Sequence, residues 1–304
     1  MNLFSEFPIV AVAAAFATAT AGLRTSVLTA HRGYGELAFS NAIGGIAAQT
    51  MFLAIADLCY RRANLEHVAA STSNTMQASL LIALLSLPVM GIGSPKTAFI
   101  AVHPASIGII ALYLFGIRLI HDARAAATWA PEETDETVPD VPDNTNQRLD
   151  VNRLLATFVL TALCVAGAGW VVAESGMALA DRTGLSESLI GGVLTAVATS
   201  LPELVTTIAA VRMGALTLAV GNILGGNSFD TLFLAVADAS FRGGSIYAAI
   251  GDRQLLQLGA VLLMNAVLVL GLLRRQKRGI AGIGFESAAL LSIYAALLVA
   301  MIRS

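Results

Sequence analysis

Charge is scarce in this sequence. Of its 304 residues only 12% are Asp, Glu, Lys or Arg, while 56% are hydrophobic, and the mean hydropathy is +0.75. That balance excludes an ordinary soluble domain. Aromatic residues are few, at 6%, and the net charge is −2. No basic cluster with interleaved aromatics occurs, so nucleic acid is excluded as a partner. There are two cysteines, Cys59 and Cys164. They lie far apart, inside or at the end of apolar runs, and read as small packing residues buried in the membrane rather than as a disulfide or metal pair. The four histidines, His31, His67, His103 and His121, show no metal spacing. No His, Cys or Ser constellation stands among the apolar runs, so the chain does not read as an enzyme. The opening MNLFSEFPIV has no basic n-region and does not look like a cleaved signal peptide.

Apolar stretches, by contrast, recur along the whole length. About nine approach or exceed the ~20 residues needed to span a bilayer: 7–31, 36–59, 74–93, 101–121, 151–178, 186–211, 215–240, 254–273 and 281–302. They are too long for strands and lack period-two alternation. The fold class is therefore an all-α integral membrane protein, with lipid as its surroundings. One stretch reads as soluble, HDARAAATWAPEETDETVPDVPDNTNQRLD at 121–150. Its Pro, Asp and Glu content makes it a hydrophilic linker, and the spacing of its acids matches no EF-hand. Three segments follow: 1–121, the linker 122–150, and 151–304.

The two outer segments are related. Residues 17–57 laid over 198–238, at an offset of 181, agree at 16 of 41 positions without a gap. Asn41 falls on Asn222, Gly44 and Gly45 on Gly225 and Gly226, and Asp57 on Asp238. Between the two copies the predicted spans cross the membrane five times, so the second copy is inverted relative to the first. Inverted repeats are characteristic of secondary transporters, whose site lies where the repeats meet. Counting Lys and Arg on alternating loops puts eleven on one side and six on the other. The positive-inside rule then places the N-terminus and the linker in the cytoplasm.

Two stretches put polar chemistry into this apolar context. In ATSLPELVTTIAAV, Pro202 interrupts the helical ladder and frees carbonyls beside Thr199, Ser200 and Glu203. In GNILGGNSFDTLFLAVAD, Asn227 and Asp230 stand at i and i+3 on one helix face, after a Gly225-Gly226 pair that permits close helix approach. A carboxylate kept in hydrocarbon faces a partner or a water-filled path. An all-oxygen set of this kind suits hard cations such as Ca²⁺ and Na⁺. Asp57 and Asp238 repeat beside loops and are expected to be structural, and Glu174 and Glu286, near span ends, to be interfacial.

TSLPEL followed by GN-x-x-GGNSFD resembles the α-repeats of the sodium/calcium exchanger, or Ca²⁺/cation antiporter, superfamily, in a prokaryotic form with a degenerate first repeat. The resemblance implies a ten-helix fold of two inverted groups of five. It implies that Glu203 and Asp230 are the main ligands of transported cations, with Thr199, Ser200 and Asn227 beside them. The first repeat has lost most of that set. Glu203 falls on Gly22, Asn227 on Ile46 and Asp230 on Gln49, so that only Thr18 and Gln49 keep a side-chain oxygen. Arg24 stands two residues past the missing glutamate, and is read either as a positive charge near the site or as a side chain snorkelling to the interface. The counterpart of span 151–178 is also missing, from either a late start or a truncated subgroup.

These features lead to an expected secondary antiporter of a bacterial cell membrane, exchanging Ca²⁺ for Na⁺ or H⁺, with no cofactor beyond the transported ions. The alternative is a non-transporting relative, a sensor or an assembly partner, motivated by the stripped first repeat.

Overall fold

Backbone groups in lipid must close their hydrogen bonds internally, and long apolar runs do so as helices. The computed structural model describes residues 20–60, 63–94, 102–125, 151–277, 279 and 283–303. Helix α1 covers 20–31 of these. It is followed by α2 (Gly35–Cys59), the short α3 (Leu65–Val68), α4 (Thr72–Gly93), α5 (Pro104–Ala125), α6 (Val151–Thr183) and α7 (Glu187–Leu189). A π-helical turn (Ile190–Thr195) joins α7 to α8 (Ala196–Arg212). Helices α9 (Leu216–Ser240), the short α10 (Ile246–Ala249), α11 (Asp252–Arg274) and α12 (Phe285–Arg303) complete the chain. Seven of the described helices are long and apolar enough to cross a membrane. The 25-residue α9 matches α2 in length and carries the polar Asn222, Asn227, Asp230 and Asp238. Most of the expected span 7–31 and most of the acidic linker, 126–150, lie outside the described residues.

The offset of 181 holds in the helix boundaries. Gly35–Cys59 maps onto Leu216–Ser240, and the short helix Leu65–Val68 onto Ile246–Ala249, residue for residue. The short helices were not expected, because four residues carry no readable periodicity.

Asp57 and Asp238 show how the two halves join. Asp238 Oδ1 accepts from Ser245 Oγ (3.0 Å) and the Ile246 amide (2.9 Å), holding α10 to the end of α9. Its Oδ2 accepts from the His103 amide (2.7 Å) and Ser106 Oγ (2.9 Å) at the start of α5, in the other half. Asp57 repeats this at the same offset, taking the Leu65 amide (2.7 Å), Ser287 Oγ (2.8 Å) and the Gly284 amide (3.4 Å) at the start of α12. Both acids are structural, as expected. The C-terminus of α2 thus meets the start of α12, and the C-terminus of α9 meets the start of α5. Since α4 separates α3 from α5 by one crossing, these two junctions lie at opposite ends of the bundle. Helices α2 and α9 therefore run antiparallel, and the repeats are inverted.

Helix α2 sits at the centre, packed on α8, α9, the π turn, α11 and α12. Its approach to the π turn is backbone to backbone. A Cβ at Gly44 would collide with the Gly192 carbonyl, and one at Gly191 with the Leu37 carbonyl. Gly44→Leu is therefore expected to cost at or beyond about 3 kcal/mol, since neither backbone can yield cheaply. Thermal unfolding in detergent checks this. Gly167→Ala is the control, because nothing lies within 4 Å of an added Cβ there.

Three expectations need correction or completion. Cys59 and Cys164 are free thiols on the exposed surface, not internal packing residues; their helices present those faces outward. Glu286 is fully buried rather than interfacial, because the α12 start is drawn inward onto Asp57. Glu174 does lie at the periphery, in an ion pair with Arg32 at 2.6 Å.

Candidate cation site at the helix crossing

Where α1, α2, α8 and α9 converge lies a small cavity of about 10 Å³, room for one water-sized sphere. Helix α8 supplies Thr199, Ser200 and Glu203, one turn of the same face. Helix α2 supplies Asn41, Gly45 and Gln49 at successive i+4 steps, and α9 supplies Asp230. Pro202 stays inside α8 and does not end it. It offers no N–H to the carbonyl of Ala198 four residues earlier. Glycine makes the crossing possible. A Cβ on Gly45 would touch Ser200 Oγ at 3.5 Å, and one on Gly226 would touch Gln49 Oε1 at 3.6 Å.

The polar groups are tied across the halves. Gln49 Nε2 donates to Asp230 Oδ2 at 2.8 Å and reaches Ser200 Oγ at 3.5 Å. That leaves Gln49 Oε1 buried with no hydrogen-bond partner among the described residues, an acceptor available to a cation. Thr199 Oγ1 returns to the Thr195 carbonyl at 2.9 Å, and Thr195 Oγ1 donates to Asn41 Oδ1 at 2.7 Å. Asn41 in turn donates to Ser26 Oγ at 3.1 Å, which fixes α1 against α2.

The structure brings Glu203, Asp230, Thr199, Ser200 and Gln49 together around one space. Asn227 is buried one turn before Asp230 but donates to Thr50 Oγ1 at 3.0 Å and does not line the cavity. Thr18 lies outside the described residues. Asn41 was visible in the sequence only as a repeat match. Its place in the lining follows from the i+4 steps that link it to Gly45 and Gln49.

The first repeat's lost carboxylate has a structural counterpart. The ring of Phe233 fills the space beside Gly22, 2.9 Å from where a Cβ would stand, and both residues line the cavity. Arg24 points outward instead, donating to the Ala166 carbonyl on α6 at 3.3 Å. The lining thus holds two carboxylates and no basic side chain. Two carboxylates facing one small buried space repel each other, so the arrangement favours cations or protons between them.

Comparison with known proteins bears on the family and the fold. The family described as sodium/calcium exchanger protein matches residues 153–303. Sodium/calcium exchanger MaX1 of Methanosarcina acetivorans is 41% identical over 85 residues, 27% of this chain and 24% of the relative. Inner membrane protein YrbG of Escherichia coli K12 is 33% identical over 114 residues, 38% of this chain and 34% of the relative. The chain therefore spans well under half the length of these relatives. In fold, the chain is similar to the Ca²⁺/H⁺ antiporter protein YfkE, with a TM-score of 0.63 at 15% identity, covering 96% of this chain and 82% of that one. It is similar as well to the sodium-calcium exchanger NCX_Mj soaked with Na⁺ and Sr²⁺, with a TM-score of 0.62 at 16% identity, covering 99% and 90%.

Proposed function

The chain belongs to the sodium/calcium exchanger, or Ca²⁺/cation antiporter, superfamily, and from that premise we propose that it is a secondary antiporter exchanging Ca²⁺ for Na⁺ or H⁺ by alternating access. One observation carries the reading: Glu203 and Asp230 line a single buried cavity that holds no basic side chain. Glu203, Asp230, Gln49, Thr199 and Ser200 supply oxygens alone, the donor set of a hard cation.

Two carboxylates balance one Ca²⁺ or two monovalent cations. Exchange in that ratio leaves the loaded site neutral in both forms, and a neutral site is the one fit to move through a low-dielectric centre. Competition for the same carboxylates then couples the two fluxes. With one carboxylate replaced by Gly22 and the Phe233 ring, there is no charge for a third monovalent ion. The protein works in a bacterial cell membrane, with the N-terminus and the acidic linker in the cytoplasm.

The test is ⁴⁵Ca²⁺ uptake into proteoliposomes holding the purified protein, driven first by an outward Na⁺ gradient and then by a pH gradient. Uptake well above empty liposomes with one gradient is expected, and names the coupling ion. No uptake with either, from protein shown to be folded, would sink the proposal in favour of a non-transporting relative.

A further inference from the structure

The junction stapled by Asp57 holds two more carboxyl groups. Glu66 lies in α3 and Glu286 in the first turn of α12, and they are 1% and 0% exposed. Taken as two carboxylates, none of their four oxygens has a hydrogen-bond donor from another described residue, and each carboxyl draws only on its own backbone N–H. Yet the two carboxyl groups lie near enough to each other for a hydrogen bond. Carboxylates only accept, so that bond exists when one of the two carries a proton. Asp57 is largely committed elsewhere, since its oxygens already take the Leu65 amide, Ser287 Oγ and the Gly284 amide, three of the about four acceptor positions of a carboxylate. Nor is Glu286 free to turn away. A Cβ on Gly271 would come within 2.9 Å of its Cγ, and one on Gly284 would strike its carboxyl group.

The second junction acts as an internal control. At the offset of 181, Tyr247 takes the place of Glu66 and Ala105 that of Glu286. There the Tyr247 hydroxyl lies 3.1 Å from Ser106 Oγ, and the same aspartate staple forms without any carboxyl pair. The fold does not need the pair.

We propose that Glu66 and Glu286 form a proton-binding site, holding one proton between two carboxyl groups at the seam of the two halves. A proton fits better than a metal. Asp57 already accepts three hydrogen bonds, a hard cation asks for about six or more oxygens, and among the described residues no three His, Cys, Asp or Glu are grouped to hold a metal ion. The charges acting on the pair are Asp57 from α2 and Arg274 from the end of α11. Arg274 lies 5.0 Å above the Phe285 ring. His67, next along α3, has its Nδ1 2.7 Å from the Arg275 carbonyl, and α9, also packed on α3, adds no charge to the pair.

Burial first, then repulsion from Asp57 and Glu286, holds the Glu66 carboxyl well above the usual carboxylate range. The folded protein therefore binds this proton more tightly than the unfolded chain does. The stability it confers is complete below about pH 4 and is lost as pH rises through the raised value. Beyond that, two facing carboxylates and Asp57 repel one another where α3 and α12 meet, and alkaline pH loosens the seam independently of the cation cavity.

Infrared difference spectroscopy of the whole protein in bilayers, titrated with pH, reads protonated carboxyl groups directly. The wild type is expected to show a carboxyl C=O band that vanishes on alkalinisation. Both Glu66→Gln and Glu286→Gln should lack it, and Glu203→Gln should keep it. The fall of Tm with rising pH is expected to flatten in Glu66→Gln, whose amide donates to Glu286 in place of the proton. A band unchanged in both seam variants would overturn the proposal. So would its removal by Ca²⁺ or Na⁺ at constant pH, which would make the pair a cation site. Should Glu66→Gln not fold, Glu286→Gln and the wild-type titration still decide.

Discussion

Glu203→Gln is expected to abolish gradient-driven ⁴⁵Ca²⁺ uptake in proteoliposomes while leaving the protein folded. The substitution keeps the shape of the side chain and removes one of the two negative charges lining the cavity. At about 4 Å and an effective dielectric near 20, a unit charge pair is worth about 4 kcal/mol, so a divalent ion loses at least a thousandfold in affinity. Asp230→Asn should do the same, because Asp230 faces the same space and, among the described residues of the lining, takes its hydrogen bond at Oδ2 from Gln49. Arg24→Gln serves as the counter-test. Arg24 reaches outward to the Ala166 carbonyl, and its removal is expected to change uptake by no more than about twofold, as for a surface position. Full activity in Glu203→Gln, or a large gain in Arg24→Gln, would mean that the ion binds elsewhere or that Arg24 does reach the cavity.

Asp238→Ala is expected to leave little folded protein. The carboxylate accepts from Ser245, the Ile246 amide, the His103 amide and Ser106 at 2.7–3.0 Å, and the residue is fully buried. Two of those donors are backbone N–H groups at helix starts, which cannot turn elsewhere. Each buried donor left without an acceptor costs about 1–3 kcal/mol, so the total reaches about 4 kcal/mol or more, enough to unfold a protein of ordinary stability. Size-exclusion profile and Tm in detergent measure it. Asp57→Ala should behave alike, since it removes the equivalent staple. A monodisperse Asp238→Ala protein with a Tm near wild type would show that the packing of α5 and α10, not this carboxylate, holds the junction.

Read from the residues alone, the long elements were legible. The runs that became α2, α4, α11 and α12 could be placed within a few residues, because hydropathy depends on local composition and the bilayer dictates length. The repeat was legible as well. Identical residues at one offset pointed to two copies of one unit, and the short helices later fell on that offset without having been foreseen. In the site, Glu203 and Asp230 stood out because carboxylates in apolar helices are rare. Asn227 was placed beside them on helix spacing and on the family resemblance; the fold turns its amide to Thr50 instead.

What the sequence by itself determined, then, was the membrane class, the inverted repeat and the presence of two acids within apolar helices, since each is written in spacing along one chain. Tertiary structure decided that Gln49 meets Asp230, that Phe233 fills the room beside Gly22, that Arg24 looks outward, and that Glu66 faces Glu286. Most of these join residues well over a hundred positions apart. Their meeting depends on where two helices can approach closely enough, as at Gly44 and Gly192, and no local pattern encodes that distance.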